Sequence, residues 1–348
     1  MDHFIGLDGH KTSCTLVVLN ERGKLKRKAV LPTEEKALLE FVQTIPGRRH
    51  LCLEEGSQSQ WFYEIFSAHV HDLAVVQGRK SPGNKDDARD ALKLAERFRI
   101  GDLGPRIWKV AEPLATLKDL VRSYEMINKD LVRVKNRIQH LFRSRGLASC
   151  KEGCPFCTGR LGCQKPGFHQ ILERLRQQQE HLEPLKAEAQ KAMVTEANRH
   201  SITRILKSAP GMGPVRSAQL LAIVITPYRF RTCRQFWCYC GLAVVQRSSS
   251  DWIQQPNGSF RFGSVRRSRG LNHNFNHMAK AIFKGAAMTV LTRMSDEPLR
   301  QDYQRLLDNG TKPNLARLTL ARKIAALVLA MWKNQEVYDP AKYRLPRK

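Results

Sequence analysis

The sequence lacks any run of about 18 apolar residues, which is the length that a membrane-spanning helix requires. Its first residues do not place a basic segment before an apolar one, so we expect no secretory signal peptide. Acidic residues are few: 32 Asp and Glu stand against 59 Lys and Arg, a formal net charge of +27. Such an excess favours a polyanionic partner, above all nucleic acid, although a solvated basic surface is the simpler alternative.

Cysteines are present, but their number argues against a disulfide framework, because nine is odd. Four of them form a cluster in a segment with Gly and Pro, namely Cys150, Cys154, Cys157 and Cys163. Four thiolates can hold Zn²⁺ tetrahedrally, and the gap between Cys154 and Cys157 is typical of zinc knuckles. The alternative is a reduced loop. Five others lie in apolar contexts and are expected to pack in cores: Cys14, Cys52, Cys233, Cys238 and Cys240.

The first hundred residues have the pattern of a mixed α/β domain. Short apolar runs at 4–7, 15–19 and 25–31 are separated by tight turns, which predicts an antiparallel meander. Two further strands are predicted at 50–53 and 73–76, and helices at 33–44, 61–70 and 87–98. At about 100–200 residues per domain, the chain divides into two or three domains. We place them at 1–108, 109–205 and 206–348.

The second region has the pattern of a long antiparallel helical hairpin. Apolar residues alternate by steps of three and four, a heptad seam that favours a coiled coil over an ordinary bundle. The seam comprises Leu117, Leu120, Tyr124, Ile127, Leu131, Val134, Ile138 and Leu141. A second helix is predicted over 168–207, with a kink at Pro184. Its expected packing stripe is Ile171, Leu175, Leu182, Leu185, Ala189 and Ala192.

The third region is predicted to be mostly helical, with an interruption over 247–264 and an apolar core helix over 315–332. Its start, at 206–221, has the pattern of a helix-hairpin-helix. Gly211 and Gly213 would allow the tight turn, and the following helix N-terminus would present N–H groups to a DNA phosphate. A turn with a purely structural role is the alternative.

Four carboxylates stand at positions that suit a pair of divalent metal ions. Asp8 ends the first strand and Glu54 the fourth, while Asp87 and Asp90 share one helix face. Oxygen ligands of this kind bind Mg²⁺, and paired ions support cleavage of phosphodiesters. Two neighbours compete for these roles. Glu55 competes with Glu54 and Asp86 competes with Asp87, since strand alternation does not decide the first choice.

These motifs resemble a known family. FIGLDGHKTSCTLVVL, LEEG and KDDARDA are similar to the RuvC-like, ribonuclease H-fold domain of DEDD transposases of insertion-sequence family 110, which include the Piv-type invertases. The resemblance implies that Asp8, Glu54, Asp87 and Asp90 form a metal-binding tetrad. Gly9 departs from the family, which usually has a larger residue there.

The second departure concerns the acidic motif of the fourth strand. The family usually has Glu-Ala-Thr-Gly where this chain has Glu54 followed by Glu55, Gly56 and Ser57. The match at Asp8 is therefore closer than the match at Glu54.

The resemblance extends to the third region. In the family a nucleophilic serine follows a Gly-Leu step by about seven residues. Counting from Leu242 gives Ser249, with Ser248 and Ser250 as rivals because the usual glycine after the serine is missing. Arginines nearby could hold a phosphate bidentately, or simply form basic surface. They are Arg247, Arg266, Arg267 and Arg269.

The resemblance implies a cytoplasmic, nucleoid-associated DNA transposase or site-specific recombinase that forms a covalent DNA–serine intermediate. Subunits of a dimer or tetramer would share composite sites, and a structured guide RNA would pair with donor and target DNA. Two alternatives remain open at this point. One is a RuvC-type endonuclease that needs only the tetrad, and the other is a non-enzymatic basic nucleic-acid-binding protein.

Overall fold

The computed structural model describes residues 1–78, 86–109, 114–147, 166–247, 252–262 and 267–342. Contacts within the chain divide it into two compact units, Met1–Glu112 and Pro113–Lys348. The first is a mixed α/β unit and the second is mostly helical. Within the described residues, no helix is both long and apolar enough to cross a membrane.

The first unit contains a five-stranded sheet in the order β3-β2-β1-β4-β5. Antiparallel pairing of β1 with β2 and of β2 with β3 confirms the predicted meander. Strand β4 then pairs with β1 in parallel, and β5 pairs with β4 in parallel. The strands are β1 Asp2–Gly9, β2 Ser13–Asn20, β3 Leu25–Pro32, β4 Arg48–Glu54 and β5 Asp72–Val76.

Helices cover both faces of this sheet because its central strands are apolar on both sides. The helices are α1 Glu35–Gln43, α2 Ser59–Phe66 and α3 Asp87–Arg99. On β2, Leu16 and Val18 share a core with α1 and α2, whereas Val17 and Leu19 contact α3. This alternation is the period of two that a strand imposes, and it fixes which face α3 occupies.

The second unit opens with two long helices, α4 Leu114–Arg143 and α5 Pro166–Asn198. Leu117 near the start of α4 shares a core with Met193 near the end of α5. Phe142 at the end of α4 packs on Phe168 at the start of α5, so the pair is antiparallel. Every residue of the predicted α4 seam is buried or half-buried.

The predicted packing stripe of α5 is half wrong. Leu175, Leu182 and Ala189 are half-buried as expected, but Ile171, Leu185 and Ala192 are exposed. Two polar residues of α5, Gln179 and Lys186, are half-buried in the seam instead. The side chains that continue the seam at steps of three and four are Phe168, Leu172, Leu175, Gln179, Leu182, Lys186, Ala189 and Met193. An apolar pattern alone could not identify a face that contains a lysine and a glutamine.

The predicted helix over 168–207 is in fact two helices. Helix α5 continues through Pro184 and ends at Asn198, and a separate helix, α6 Ile202–Ser208, follows. The buried Thr203 donates a hydrogen bond from its hydroxyl to the Ala197 carbonyl, which fixes the turn between them. The later helices are α7 Pro214–Val224, α8 Cys233–Tyr239, α9 His277–Arg293, α10 Pro298–Asp308 and α11 Pro313–Asn334.

The segment that was predicted as an irregular interruption contains short strands. They are β6 Val244–Arg247, β7 Trp252–Gln254, β8 Phe260–Phe262 and β9 Arg267–Leu271. Strand β6 pairs with β9 and β7 pairs with β8, both antiparallel. Strands of three to five residues are too short to show a clear alternation in sequence, which explains why the pattern did not reveal them.

Candidate active site

Strand β1 and helix α3 contact each other through their backbones at Gly6. A Cβ atom added to Gly6 would lie 1.8 Å from the Ala91 carbonyl oxygen and 2.7 Å from the Ala95 backbone nitrogen. Glycine on the strand and two buried alanines on the helix therefore let the two backbones approach closely. Since Asp8 lies two residues beyond Gly6 and Asp87 begins α3, this contact brings both carboxylates to one end of the sheet.

Asp8, His10 and Asp87 form a group of potential metal ligands. His10 Nε2 lies 3.5 Å from Asp8 Oδ2 and 3.2 Å from Asp87 Oδ1. One ligand atom from each residue lies within 4.8 Å of the others. The sequence reasoning missed His10. Its signal was its spacing of two from Asp8, because every second side chain of a strand lies on the same face and His10 directly follows β1.

Glu54 belongs to the same acidic region by its electrostatics. Partial burial, and then the negative charges of Asp8 and Asp90, raise the pKa of the Glu54 carboxyl. Gly78 leaves room for this carboxyl, because a Cβ atom there would lie 2.7 Å from Glu54 Oε2. Asp90 also contacts Lys93, whose Nζ lies 3.0 Å from Asp90 Oδ1. Negative charges that raise the pKa of a neighbouring carboxyl favour a bound cation.

The two rival carboxylates have other partners. Glu55 Oε2 lies 2.6 Å from Nζ of Lys109, whose side chain is 5% exposed and also donates to the Ser59 hydroxyl. Asp86 is the N-cap residue of α3 and accepts a hydrogen bond from the Ala88 N–H. Glu55 and Asp86 therefore have partners of their own, whereas Asp87 lies near Asp8, and the charge of Asp8 acts on Glu54.

The predicted helix-hairpin-helix segment is a tight turn between α6 and α7. Gly211 has a φ of +73°, and a Cβ atom on it would lie 2.3 Å from the Ala286 carbonyl oxygen, so this position requires glycine. Gly213 is the N-cap residue of α7 and has open space around it. Arg216 Nη1 donates to the Gly211 carbonyl and to the Thr289 hydroxyl, which ties the turn to α9.

In sequence, the predicted nucleophile lies between strands β6 and β9, which pair as an antiparallel ribbon. Backbone pairing sets Arg247 opposite Arg267, and Arg269 lies on the same strand as Arg267. Two residues before β6, the carbonyl oxygen of the buried Leu242 accepts a hydrogen bond from Arg322 Nε at 2.6 Å. Several predicted site residues lie outside the described residues: Ser248, Ser249, Ser250, Arg266, Cys150, Cys154, Cys157 and Cys163.

Two family profiles match this chain. The profile of the IS110 DEDD transposase domain matches residues 5–144, and that of the IS116/IS110/IS902 transposase family matches residues 203–304. Together they cover well over half of the chain. The chain belongs to the IS110 family of transposases. It is therefore a DNA transposase or recombinase, and its substrate is DNA. The first match includes all four carboxylates of the predicted tetrad, and the second includes the turn at Gly211 and Ser249.

Similar transposase-related proteins occur in several bacteria. The 44.8 kDa protein of insertion element IS116 from Streptomyces clavuligerus is 28% identical, over 97% of this chain and 96% of its own. A "probable family 20 transposase" of Pseudomonas aeruginosa is 23% identical over 82% and 84% of the two chains. The transposase of insertion sequence element IS1533 from Leptospira borgpetersenii is 24% identical over 39% and 42%.

The five cysteines that the structure describes differ in burial. Cys14, Cys52 and Cys240 are fully buried, as predicted, and burial raises the pKa of the Cys52 thiol to about 12. Cys233 is half-buried, and Cys238 is exposed, so the expectation of a packing role was wrong for Cys238. All five of these cysteines are free thiols in this transposase.

Proposed function

We propose that this transposase cuts and rejoins DNA with a divalent metal centre at Asp8, Glu54, Asp87 and Asp90 and with Ser249 as the nucleophile. One observation carries the metal centre: negative charge converges at one end of the sheet. Asp8 and Asp87 both lie within 4 Å of His10, and Glu54 has its pKa raised by Asp8 and Asp90. In a chain of net charge +27, such an acidic cluster calls for a cation.

The donor set fits a hard divalent ion, which we propose to be Mg²⁺. Carboxylate oxygens are the ligands that Mg²⁺ prefers, and the His10 imidazole adds a nitrogen that Mn²⁺ also accepts. When bound, the metal would stabilise the negative charge that develops on the phosphodiester in the transition state. The chain's own acidic residues would hold and orient it, and Gly6 and Gly78 would maintain the spacing on which that holding depends.

The C-terminal unit would supply the covalent chemistry. The Ser249 hydroxyl oxygen would attack a DNA phosphorus and form a Ser–phosphate ester, while the oxygen of the displaced DNA end leaves as a hydroxyl that takes up a proton. Attack by a DNA hydroxyl on that ester would then rejoin the strands and restore the serine. Arg247, Arg266, Arg267 and Arg269 would neutralise the phosphate. The pairing of Arg247 with Arg267 on the ribbon supports this assignment.

Other surfaces support a larger assembly. We propose that the antiparallel helices α4 and α5 form a coiled coil for self-association into dimers or tetramers, with composite sites shared between subunits. Exposed apolar side chains on these helices, such as Met126 and Ile171, support this. The turn at Gly211 and Gly213 would bind DNA backbone phosphates, and a structured guide RNA would select donor and target DNA. Zinc at the cysteine cluster stays a prediction that metal analysis of the purified protein tests.

The decisive experiment compares Ser249→Ala and Asp8→Asn in a reaction with Mg²⁺, co-purified nucleic acid and the DNA that flanks the gene. We expect Ser249→Ala to abolish the covalent protein–DNA adduct while Mn²⁺ binding remains, and Asp8→Asn to reduce Mn²⁺ binding and lose cleavage. Ser248→Ala and Ser250→Ala are the matched controls and should keep the adduct.

Other results would favour other functions. An adduct in Ser249→Ala would move the nucleophile elsewhere. Cleavage without any adduct in the wild type would favour a RuvC-type endonuclease. DNA binding without cleavage under every metal condition would favour the non-enzymatic alternative.

A further inference from the structure

A groove lies between α9 and α11 in the C-terminal unit. It has a volume of about 560 Å³ and an apolar floor that includes Leu271, Met288, Leu315 and Leu318. Met288 is 42% exposed and Leu315 is 56% exposed, and because both line the groove they belong to one exposed apolar patch. The groove thus offers an open apolar surface within a strongly basic protein.

The rim of this groove is cationic. Lys280 and Lys284 lie one turn apart on α9, and Arg317 faces them from α11. None of the described residues that line the groove carries a carboxylate. Lys323 provides a contrast, because it lies on the same helix as Arg317 but pairs with the buried Asp302. In the described part of the chain, the three rim cations have no carboxylate partner, and such unneutralised charges attract phosphate.

The groove also lies close, along the chain, to the proposed nucleophile. Leu271 lines the groove, ends β9 and pairs with Val244, the first residue of β6. Ser249 is five residues beyond Val244, so covalent geometry keeps the two within about 18 Å. A DNA strand attached at Ser249 therefore needs only a short path to reach the groove.

We propose that this groove holds an unpaired nucleotide of the DNA strand next to the cut site. The base would lie on the apolar floor, and the flanking phosphates would contact Lys280, Lys284 and Arg317. The apolar side chains of the floor accept any base, and the amide oxygen of Asn314, the polar side chain in the lining, already accepts a hydrogen bond from Arg317, so the contact would be independent of sequence. This inference rests on the proposed role of Ser249, since that residue sets where the strand is cut.

The test measures binding of a fluorescein-labelled oligothymidine to the full-length protein, with EDTA present so that no cleavage occurs. We expect Lys284→Gln to weaken binding about fourfold at 0.15 M salt and to lower the salt slope by about 0.7, the effect of one lost phosphate contact. Lys191→Gln, an exposed lysine on α5, removes the same charge elsewhere and is the matched control. Equal effects of the two variants would overturn the proposal.

A second measurement tests the base contact. Single abasic sites in the oligonucleotide should weaken binding to the wild type, and Leu315→Ser should remove that difference. Photocrosslinking with 5-iodouracil DNA should label the tryptic peptide 285–293, which contains Met288. No crosslink there, together with no effect of abasic sites, would exclude a nucleotide in the groove.

The proposal for the groove and the proposal for the nucleophile can be refuted separately. A covalent adduct that persists in Ser249→Ala would refute the proposed nucleophile while the crosslink to 285–293 remained. An intact adduct at Ser249 with no crosslink would refute the groove alone. If the wild-type protein folds and binds Mn²⁺ but forms neither the covalent adduct nor the crosslink, the proposed nucleophile and the proposed groove are both refuted.

Discussion

Replacing Gly6 with alanine tests whether the close contact between β1 and α3 positions the acidic site. The new methyl group would lie 1.8 Å from the Ala91 carbonyl oxygen and 2.7 Å from the Ala95 nitrogen. Both atoms belong to the helix backbone, which cannot rotate away as the end of a side chain can. Helix α3 would therefore have to move away from β1 by more than 1 Å, taking Asp87 and Asp90 with it.

The size of the effect follows from that clash. Overpacking of a core costs about 1–3 kcal/mol, and a backbone contact belongs at the upper end of that range. Replacing glycine with alanine also reduces the entropy of the unfolded chain, which stabilises the folded state by about 0.4–1 kcal/mol. We expect a net loss of about 2 kcal/mol in the stability of the N-terminal unit. Mn²⁺ affinity should fall about tenfold, because the ligands are no longer held in place.

Hydrogen exchange of β1 and α3 peptides and calorimetric titration with Mn²⁺ measure these two effects. Gly56→Ala is the matched control, since a Cβ atom at Gly56 meets nothing within 4 Å. The control should change stability by no more than about 0.5 kcal/mol. If Gly6→Ala exchanges and binds Mn²⁺ like Gly56→Ala, then the backbone contact does not position the carboxylates and the reasoning is wrong.

Three further predictions concern the N-terminal unit and the free thiols. In urea unfolding, Glu55→Ala should cost about 3–5 kcal/mol because it leaves the buried Lys109 unpaired, while Lys109→Met should cost less because Glu55 is half-exposed. The hydrogen bond from Arg106 lowers the pKa of the Asp72 carboxyl. The contribution of this ion pair to stability is therefore present at neutral pH and is lost as the pH falls below about 4. Asp72→Asn should therefore flatten the acid limb of a stability curve. At pH 8, maleimide labelling with peptide mapping should modify Cys238 in the folded protein but Cys52 only after unfolding.

Much of the fold could be predicted because the chain is locally consistent. Every strand of the N-terminal sheet has apolar residues on the face or faces that it buries, and the structure places all five within a few residues of their predicted positions. The apolar residues of the α4 seam keep steps of three and four without interruption, so the sequence predicted correctly which side chains of α4 are buried or half-buried. These features depend on neighbours in sequence, which a periodic pattern records directly.

The failures share a different origin. The face of α5 contains Gln179 and Lys186, and Lys135 on α4 pairs with Glu183 on α5 at 2.9 Å. Long polar side chains of this kind can bury their stems while their heads stay hydrated, so polarity in sequence does not mark an outer face. The short strands β6 to β9 depend on pairing with distant residues, which local propensity does not report.

The observation that bears on the choice between Glu54 and Glu55 involves a residue more than fifty positions away. Strand alternation could not decide it, because β4 ends at Glu54 and no alternation continues beyond it. Lys109 provides that observation. Its ammonium group is buried and needs a counter-ion, and it takes Glu55 together with the Ser59 hydroxyl. Because Glu55 serves as the counter-ion of Lys109, Glu54 is the better candidate of the two for the metal centre that we propose.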